Sequence, residues 1–143
     1  MKIKDVMSED VEIVSPETSI SEIAKKMAQR DCGCVIVAKN DRLVGVVTDR
    51  DIALRCVAKG QDPQKATAEQ VMSPKILYCR EQDDADAIVK NMGQNAVRRL
   101  PVVNADKRLV GIVSLGDLAA SANAQLCGQT LGDICRSSNR AAA

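Results

Sequence analysis

Apolar residues recur along the first half of the chain at two spacings, which predict strands and helices in a definite order. Residues 11–15 alternate between apolar and polar and stop before Pro16, as a short strand does. Behind Ser19, apolar residues recur at helical spacing over about three turns, opposite a polar face. Two apolar runs joined by a polar turn then predict a hairpin. The predicted elements are a lead-in helix at 3–8, a strand at 11–15, a helix at 20–30, strands at 34–37 and 43–47, and a helix at 49–58 with Ile52, Ala53 and Cys56 facing inward.

The same order begins again after a polar, proline-containing segment at residues 60–67. Val71-Met72-Ser73 repeats Val6-Met7-Ser8 after 65 positions, and Leu109-Val110-Gly111 repeats Leu43-Val44-Gly45 after 66 positions. A near-constant offset across strands, helices and turns indicates an internal duplication. The elements predicted for this half are a lead-in at 68–73, a strand at 76–79, a helix at 83–92, strands at 99–103 and 109–113, and a helix at 115–124.

The duplication predicts four segments: a first repeat at 3–59, a linker at 60–67, a second repeat at 68–125, and a short C-terminal helix with a tail at 126–143. Residues 130–135 resemble the lead-in of the first repeat, as though a third unit began there. We expect this last helix to pack on the completed pair and residues 137–143 to fray.

A Gly-h-h-Thr/Ser-x-x-Asp pattern, where h is apolar, ends the last strand of each half. In both copies a hydroxyl residue caps the next helix and a carboxylate follows three positions later, which is a capping-box arrangement. Such a corner can satisfy the free N–H groups of the first helical turn and do nothing more. It can also bind a nucleotide, because Thr48 and Ser114 could donate to a phosphate at the helix N-terminus. Asp51 and Asp117 could then accept hydrogen bonds from ribose hydroxyls.

Composition and charge exclude several classes of function. Tyr78 is the only aromatic residue, which argues against the base-stacking surfaces of single-strand nucleic-acid binders. The net charge is +1 without runs of like charge, so neither a nucleic-acid nor a membrane surface is indicated. The chain has no signal-peptide pattern and no long apolar stretch, and we expect it to be soluble and cytoplasmic. The chain has no histidine, which removes the usual base of a serine or cysteine triad, so an enzyme is not expected.

The six cysteines are expected to be reduced and structural. Cys32 and Cys34 point the same way on a strand and could pair with another cysteine. The sequence has no C-x-x-C spacing and no histidine ligand, so no metal site is predicted.

The Val-Met-Ser lead-ins, the two corners and the segment 95–103, in this order and twice, resemble cystathionine β-synthase (CBS) domains over about residues 3–125. The resemblance implies a mixed α/β (α+β) fold. Two β-α-β-β-α CBS repeats would pack sheet to sheet with pseudo-twofold symmetry.

Such pairs are similar to the regulatory modules of inosine monophosphate dehydrogenase and of the AMP-activated kinase γ subunit, which bind adenine nucleotides in two clefts between the repeats. The resemblance implies a first cleft in which Thr48 and Asp51 meet phosphate and ribose, and in which arginines reach the phosphates. The residues implied for it are Thr48, Asp51, Leu77, Tyr78, Cys79, Arg98 and Arg99, with the backbone of 77–79 facing adenine. Those implied for the second cleft are Ser114, Asp117, Ile13, Val14, Ser15, Cys32, Gly33 and Cys34.

The two clefts are not expected to be equivalent. Where the second repeat has Arg98-Arg99-Leu100-Pro101, the first is expected to have Cys32-Gly33-Cys34-Val35, so one edge lacks both the basic pair and the proline.

These features together predict a non-catalytic regulatory module that senses AMP, ADP or ATP, without a catalytic cofactor. One alternative is a structural or partner-binding domain whose corners only cap helices, and another is a sensor of S-adenosylmethionine or another nucleotide. We also expect a homodimer, because the helix faces around Ile52/Cys56 and Leu118 would otherwise leave apolar surface uncovered. The sequence does not indicate which protein partner is regulated.

Overall fold

The chain folds around two separate three-stranded sheets, each in its own compact unit. The computed structural model describes residues 1–73 and 76–142, with side chains described as far as residue 137. One unit comprises Val11–Ile76, and the other joins Met1–Asp10 to Leu77–Ala143. Each compact unit therefore contains the lead-in of the other sequence repeat.

The unit Val11–Ile76 has the predicted order of elements. Its sheet order is β1-β2-β3, with β1 parallel to β2 and β2 antiparallel to β3. The elements are β1 (Ile13–Val14), α1 (Ile20–Arg30), β2 (Cys34–Lys39), β3 (Arg42–Thr48), α2 (Asp49–Ile52), a π-helical continuation (Ala53–Val57) and α3 (Ala68–Val71).

Local sequence explains why α1 and the hairpin form where they do. Ser19 caps α1 by accepting a hydrogen bond from the Glu22 N–H at 3.2 Å. The turn between β2 and β3 consists of Asn40 and Asp41, with φ values of 52° and 62°. Positive φ at both central residues gives the turn a twist that matches the strands, and Asn and Asp tolerate it.

The other unit repeats this arrangement with sheet order β4-β5-β6. Its elements are a 3-10 helix (Ile3–Asp5), β4 (Cys79–Arg80), α4 (Ala85–Asn95), β5 (Arg99–Val103), β6 (Leu109–Ser114), α5 (Leu115–Ser121) and α6 (Ala124–Ala142). The N-terminal lead-in joins this sheet directly, because Ser8 and Ile112 exchange backbone hydrogen bonds of 2.8 and 2.9 Å.

Each unit has its own aliphatic core between sheet and helices. In the unit Val11–Ile76, the fully buried centre of the core is Ile20, Ile23, Val35, Val37, Val47, Cys56, Ala68 and Val71. In the other unit it includes Ile3, Val89, Met92, Leu100, Val102, Val113 and Leu118. With hardly any aromatic residue available, branched aliphatic side chains supply most of the buried area.

The C-terminal segment differs most from expectation. The helix α6 runs to Ala142, so the prediction that residues 137–142 fray is wrong, and Ala143 lies outside the described residues. The expected short helix is instead a long one that packs on α4 and α5. Cys127, Thr130 and Ile134 line its buried face at helical spacing.

Three further predictions are corrected. The strand expected at 76–79 begins only at Cys79. Ala53 is exposed, because the backbone from Ala53 to Ala58 forms an i to i+5 hydrogen bond, and this wider turn rotates the buried face. Cys56 and Leu118, which were expected to leave an apolar surface, are fully buried in the cores of their own units.

Candidate functional site

The two Thr/Ser-x-x-Asp motifs form equivalent corners, one in each unit. We call the first corner Gly33, Cys34, Thr48, Asp49 and Asp51, and the second corner Arg98, Arg99, Ser114, Leu115 and Asp117. Strand pairing assembles each of them.

In the first corner, Cys34 pairs with Thr48 where β2 begins and β3 ends. The Asp49 N–H then donates to the Gly33 carbonyl at 3.0 Å. The start of one strand therefore lies beside the hydroxyl that caps α2.

In the second corner, Arg99 pairs with Ser114 in the same way. The Leu115 N–H donates to the Arg98 carbonyl at 2.8 Å. Both arginines are exposed, at the start of β5. The second corner thus has a basic edge.

Both corners contain a complete capping box. Thr48 Oγ1 accepts the Asp51 N–H at 3.1 Å, and Asp51 Oδ2 accepts the Thr48 N–H at 3.0 Å. Ser114 Oγ and Asp117 Oδ2 make the corresponding hydrogen bonds at 3.0 Å each. The prediction that these residues cap helices is confirmed.

The caps leave half of each carboxylate available. Asp51 and Asp117 are half-buried, and within residues 1–73 and 76–142 their Oδ1 atoms accept no hydrogen bond. A carboxylate oxygen without a partner can accept from a ligand hydroxyl while the other oxygen keeps the helix capped. Capping and ribose binding are therefore compatible at the same residue.

The strand register corrects the alignment between the repeats. Cys34 and Arg99 occupy equivalent positions, since each pairs with the capping hydroxyl residue of its own corner. Arg98-Arg99-Leu100-Pro101 therefore matches Gly33-Cys34-Val35-Ile36, one residue later than the sequence comparison predicted. The residue equivalent to Arg98 is therefore Gly33 and not Cys32. That the two clefts differ in binding stays a prediction.

The remaining predicted residues differ in how accessible their side chains are. Tyr78 is 41% exposed and Leu77 is half-buried against the core. Val14 is buried, Ile13 is exposed, and the Ser15 hydroxyl lies 3.0 Å from that of Thr18. Leu77 and Tyr78 belong to the unit with the second corner, whereas 13–15 belong to the unit with the first. The cross-grouping that the resemblance implied stays a prediction.

The buried cysteines serve the cores. The Cys79 thiol donates to the Pro101 carbonyl at 3.7 Å, and burial, followed by the nearby Asp83 carboxylate, raises the pKa of Cys79 from 9.0 to about 12. Burial, followed by the Asp86 carboxylate, also raises the pKa of Cys127. A protonated thiol is a poor nucleophile and a poor metal ligand. In the described ranges no three His, Cys, Asp or Glu residues converge as metal ligands.

The sequence did not reveal the roles of two residues in the unit Val11–Ile76, Asp49 and Arg55. The Asp49 carboxylate lies close to Gly33. The sequence signal for its role was a charged residue at the position where the second repeat has the apolar Leu115. Arg55 donates from Nη1 to the carbonyls of Val71 and Met72, at 3.1 Å each, and so fixes the end of α3 to the helix that follows the first corner. No local sequence pattern predicts these hydrogen bonds of Arg55.

The CBS domain family matches the chain at residues 3–57 and 68–123. The CBS domain-containing protein YhcV of Bacillus subtilis (strain 168) is 41% identical over 119 residues, which cover 83% of this chain and 84% of YhcV.

Two solved structures are also similar. Hypoxic Response Protein I with two coordinated zinc ions has a TM-score of 0.77 at 33% identity, covering 85% of this chain and 98% of that one. The CBS domain pair of protein MJ0100, in complex with 5′-methylthioadenosine and S-adenosyl-L-methionine, has a TM-score of 0.75 at 26% identity, covering 84% and 94%.

Within the part of the chain that the structure describes, no helix combines the length and the hydropathy needed to cross a membrane. The duplicated sheets, the paired corners and the two family matches agree on one assignment: the chain belongs to the CBS domain family, as a tandem pair of CBS domains.

Proposed function

We propose that this chain is a non-catalytic regulatory module that binds an adenosine-containing ligand, such as AMP, ADP or ATP, through the ribose at its two corners. Asp51 and Asp117 accept hydrogen bonds from the ribose hydroxyls. The capping hydroxyls and, in the second corner, the two arginines lie beside the position of the 5′ substituent.

The proposal rests on the carboxylate in each corner, because only one of its two oxygens takes part in the helix cap. Each Oδ2 is committed to the cap at 3.0 Å, so the orientation of the carboxyl group is fixed before any ligand arrives. Each Oδ1 accepts no hydrogen bond within the described ranges. A preoriented acceptor needs less ordering on binding than a mobile side chain, which favours affinity.

The CBS pair of MJ0100 supports the adenosine part of the proposal. Its complex contains 5′-methylthioadenosine and S-adenosyl-L-methionine, which share adenosine and carry no phosphate. The ligand panel for this chain must therefore include both phosphorylated and phosphate-free adenosine derivatives.

A thermal-shift panel followed by calorimetry tests the proposal on the full chain. Adenosine, 5′-methylthioadenosine, S-adenosylmethionine, AMP, ADP, ATP and NAD are compared, because a ligand that binds only the folded state raises the unfolding temperature. We expect at least one adenosine derivative to bind. Asp51→Asn and Asp117→Asn should each weaken binding at one site by about 10- to 100-fold, the range for a lost charged hydrogen bond.

The asparagine variants keep an oxygen that can accept the capping N–H, so they separate ligand binding from folding. Asp41→Asn is the matched control, because it removes one carboxylate from the β2–β3 turn, where Asn tolerates the φ of 62°. If no ligand shifts the unfolding temperature or produces heat at millimolar concentration, the proposal is wrong.

The second candidate is a structural or partner-binding domain, which is favoured by the completeness of both capping boxes without a ligand. Under this alternative, Thr48→Ala and Ser114→Ala would lower the free energy of unfolding by about 1 kcal/mol each, the usual effect of a lost cap. They would change no ligand affinity, since none would exist.

We also propose a homodimer, but through a different surface from the one that the sequence predicted. Leu54 and Val57 are 50% and 64% exposed on the π-helical continuation of α2. Burial of these side chains against a second copy would remove apolar surface from water. Light scattering after gel filtration should give twice the mass of the 15.3 kDa chain, and Leu54→Glu with Val57→Glu should restore the monomer mass.

A further inference from the structure

The two corners share their caps and differ in the residues around them. The Asp49 N–H donates to the Gly33 carbonyl as the Leu115 N–H donates to that of Arg98, so these two pairs occupy equivalent positions. The first corner has a carboxylate beside a glycine. The second has the apolar Leu115, whose backbone N–H donates to the carbonyl of the exposed Arg98.

The position of the Asp49 carboxylate depends on the glycine. A Cβ added to Gly33 would lie 2.9 Å from Asp49 Oδ2, closer than real Cβ contacts come, and 3.2 Å from Asp49 Cγ, which is tighter than most. On its other side, Asp49 Oδ1 accepts the Arg50 N–H at 2.9 Å. The carboxylate is thus held over the start of β2 by one hydrogen bond and by the absence of a side chain at residue 33.

The second corner has no counterpart to this arrangement. Leu115 is only 5% exposed because it packs in the core of its unit. The Gly116 N–H, equivalent to that of Arg50, donates to no side chain in the described ranges. Arg98, whose carbonyl accepts the Leu115 N–H, is exposed.

We propose that Asp49 is a specificity-determining residue, which makes the first corner select adenosine derivatives whose 5′ substituent is uncharged or cationic. The inference rests on the proposed function and adds the ligand class of one site. A phosphate near Thr48 meets the like charge of Asp49 and finds the Arg50 N–H already occupied. The side chain of Arg50 forms no ion pair with Asp49 within residues 1–73 and 76–142.

The test uses the full chain with Asp117→Asn, which removes the ribose acceptor of the second corner and leaves its cap. Calorimetry compares adenosine with AMP. We expect this variant to bind adenosine about tenfold more tightly than AMP. Repulsion between the AMP phosphate and the Asp49 carboxylate, several ångströms apart near a protein surface, is large enough to change affinity by about this factor. Adding Asp49→Asn removes only the charge, and Asp49→Ala also frees the Arg50 N–H. AMP affinity should rise about tenfold with the first change and further with the second, while adenosine affinity stays within twofold.

Asp41→Asn in the same background is the control, since it makes the same charge change at the far end of the hairpin, about 17 Å along the strands. Salt gives an independent measurement without another variant. A repulsive phosphate contact is screened at high ionic strength, so AMP affinity at the first corner should rise with salt, whereas attractive phosphate binding falls.

The inference and the proposed function fail in different ways. If adenosine binds and requires Asp51, but Asp49→Asn leaves the ratio of AMP to adenosine affinity unchanged, the specificity inference alone is overturned. Loss of all binding in the Asp117→Asn chain, with its unfolding temperature retained, also overturns it, because the first corner then has no site. Failure of every adenosine derivative to bind the unmodified chain overturns both.

Discussion

The two corners show how one backbone arrangement can be given two chemistries. In both, a strand ends in a hydroxyl residue that caps the next helix. The carboxylate of the third helical residue accepts the N–H of that capping residue at 3.0 Å. The residue whose carbonyl accepts the first helical N–H is Gly33 in the first corner and Arg98 in the second. That first helical residue is Asp49 in the first corner and Leu115 in the second. The carboxylate that satisfies the helix is common to both, whereas the surrounding charge is opposite in sign.

The glycines that precede the two caps also differ in what they contact. Gly45 and Gly111 both allow a lead-in segment to approach a sheet. A Cβ on Gly111 would lie 2.6 Å from the Ser8 carbonyl oxygen, whereas one on Gly45 would lie 2.6 Å from the Met72 Sδ. A backbone oxygen held in a strand bridge cannot move away as a flexible thioether can.

Gly111→Ala is therefore expected to have the largest effect on stability. It should lower the free energy of unfolding by about 3 kcal/mol, because it overpacks the contact and breaks the two hydrogen bonds between Ser8 and Ile112. Gly45→Ala should cost about 1 kcal/mol, since Met72 can change rotamer. Urea unfolding of both variants measures this, and equal losses would show that the two lead-ins are held alike.

Replacing both Arg98 and Arg99 by Ala tests the charge difference between the corners. ATP affinity should fall by about 1.5–3 kcal/mol per charged hydrogen bond lost, while adenosine affinity changes little. Calorimetry in two backgrounds locates the effect. It should vanish with Asp117→Asn if the arginines serve the second corner, as strand pairing favours. It would vanish with Asp51→Asn under the grouping that the family resemblance implied. Equal losses for adenosine and ATP would instead give the arginines a role in folding.

Cys79 and Val14 occupy equivalent buried positions, since each pairs with the corresponding valine of the next strand, Val102 or Val37. The folded-state pKa of Cys79 is about 12 against 9.0. Because the folded state keeps the proton when the unfolded state has lost it, the stability from this thiol is complete below pH 9 and is lost between pH 9 and 12.

Cys79→Val makes the two sheets alike and should remove this pH dependence. The unmodified chain should lose about 1 kcal/mol more of its free energy of unfolding than the variant between pH 8 and pH 10. Urea titrations at the two values measure the difference. Parallel losses in both proteins would mean that other groups account for the alkaline destabilisation.

The smallest expected signal is the zinc content of the purified protein. Hypoxic Response Protein I holds two zinc ions, but this chain contains no histidine. We expect less than a tenth of a zinc ion per chain, by the general preference of zinc for converging Cys and His ligands. Elemental analysis of protein purified without added metal checks this. Stoichiometric zinc that disappears in Cys32→Ser with Cys34→Ser would contradict it.

The sequence predicted best the features that neighbouring residues determine. Ser19, Thr48 and Ser114 cap helices because the acceptor and the N–H lie three positions apart, and Asn40-Asp41 forms the expected turn. These contacts need no partner from elsewhere in the chain.

Features that depend on distant partners were predicted less well. The match of Gly33 to Arg98 is set by strand pairing with the capping hydroxyl residues, which the local resemblance of the segments misplaced by one residue. The apolar run ending in Cys79 has strand character, but only Cys79 and Arg80 find a partner in β5. Residues 130–135 resemble only the beginning of a further repeat, so α6 was expected to be short, although Cys127, Thr130 and Ile134 bury a face at helical spacing.

The number of ligands bound per chain tests the central claim most directly. Equilibrium dialysis with labelled adenosine, at concentrations well above the dissociation constants, gives this number for the unmodified chain, Asp51→Asn, Asp117→Asn and the double variant. If each corner carboxylate holds one ribose, the unmodified chain binds two ligands tightly, and each single variant binds one of them about 10- to 100-fold more weakly. The double variant binds both that much more weakly while keeping its unfolding temperature. A double variant that binds two ligands with the affinity of the unmodified chain would contradict the account, because the ribose would then be held elsewhere.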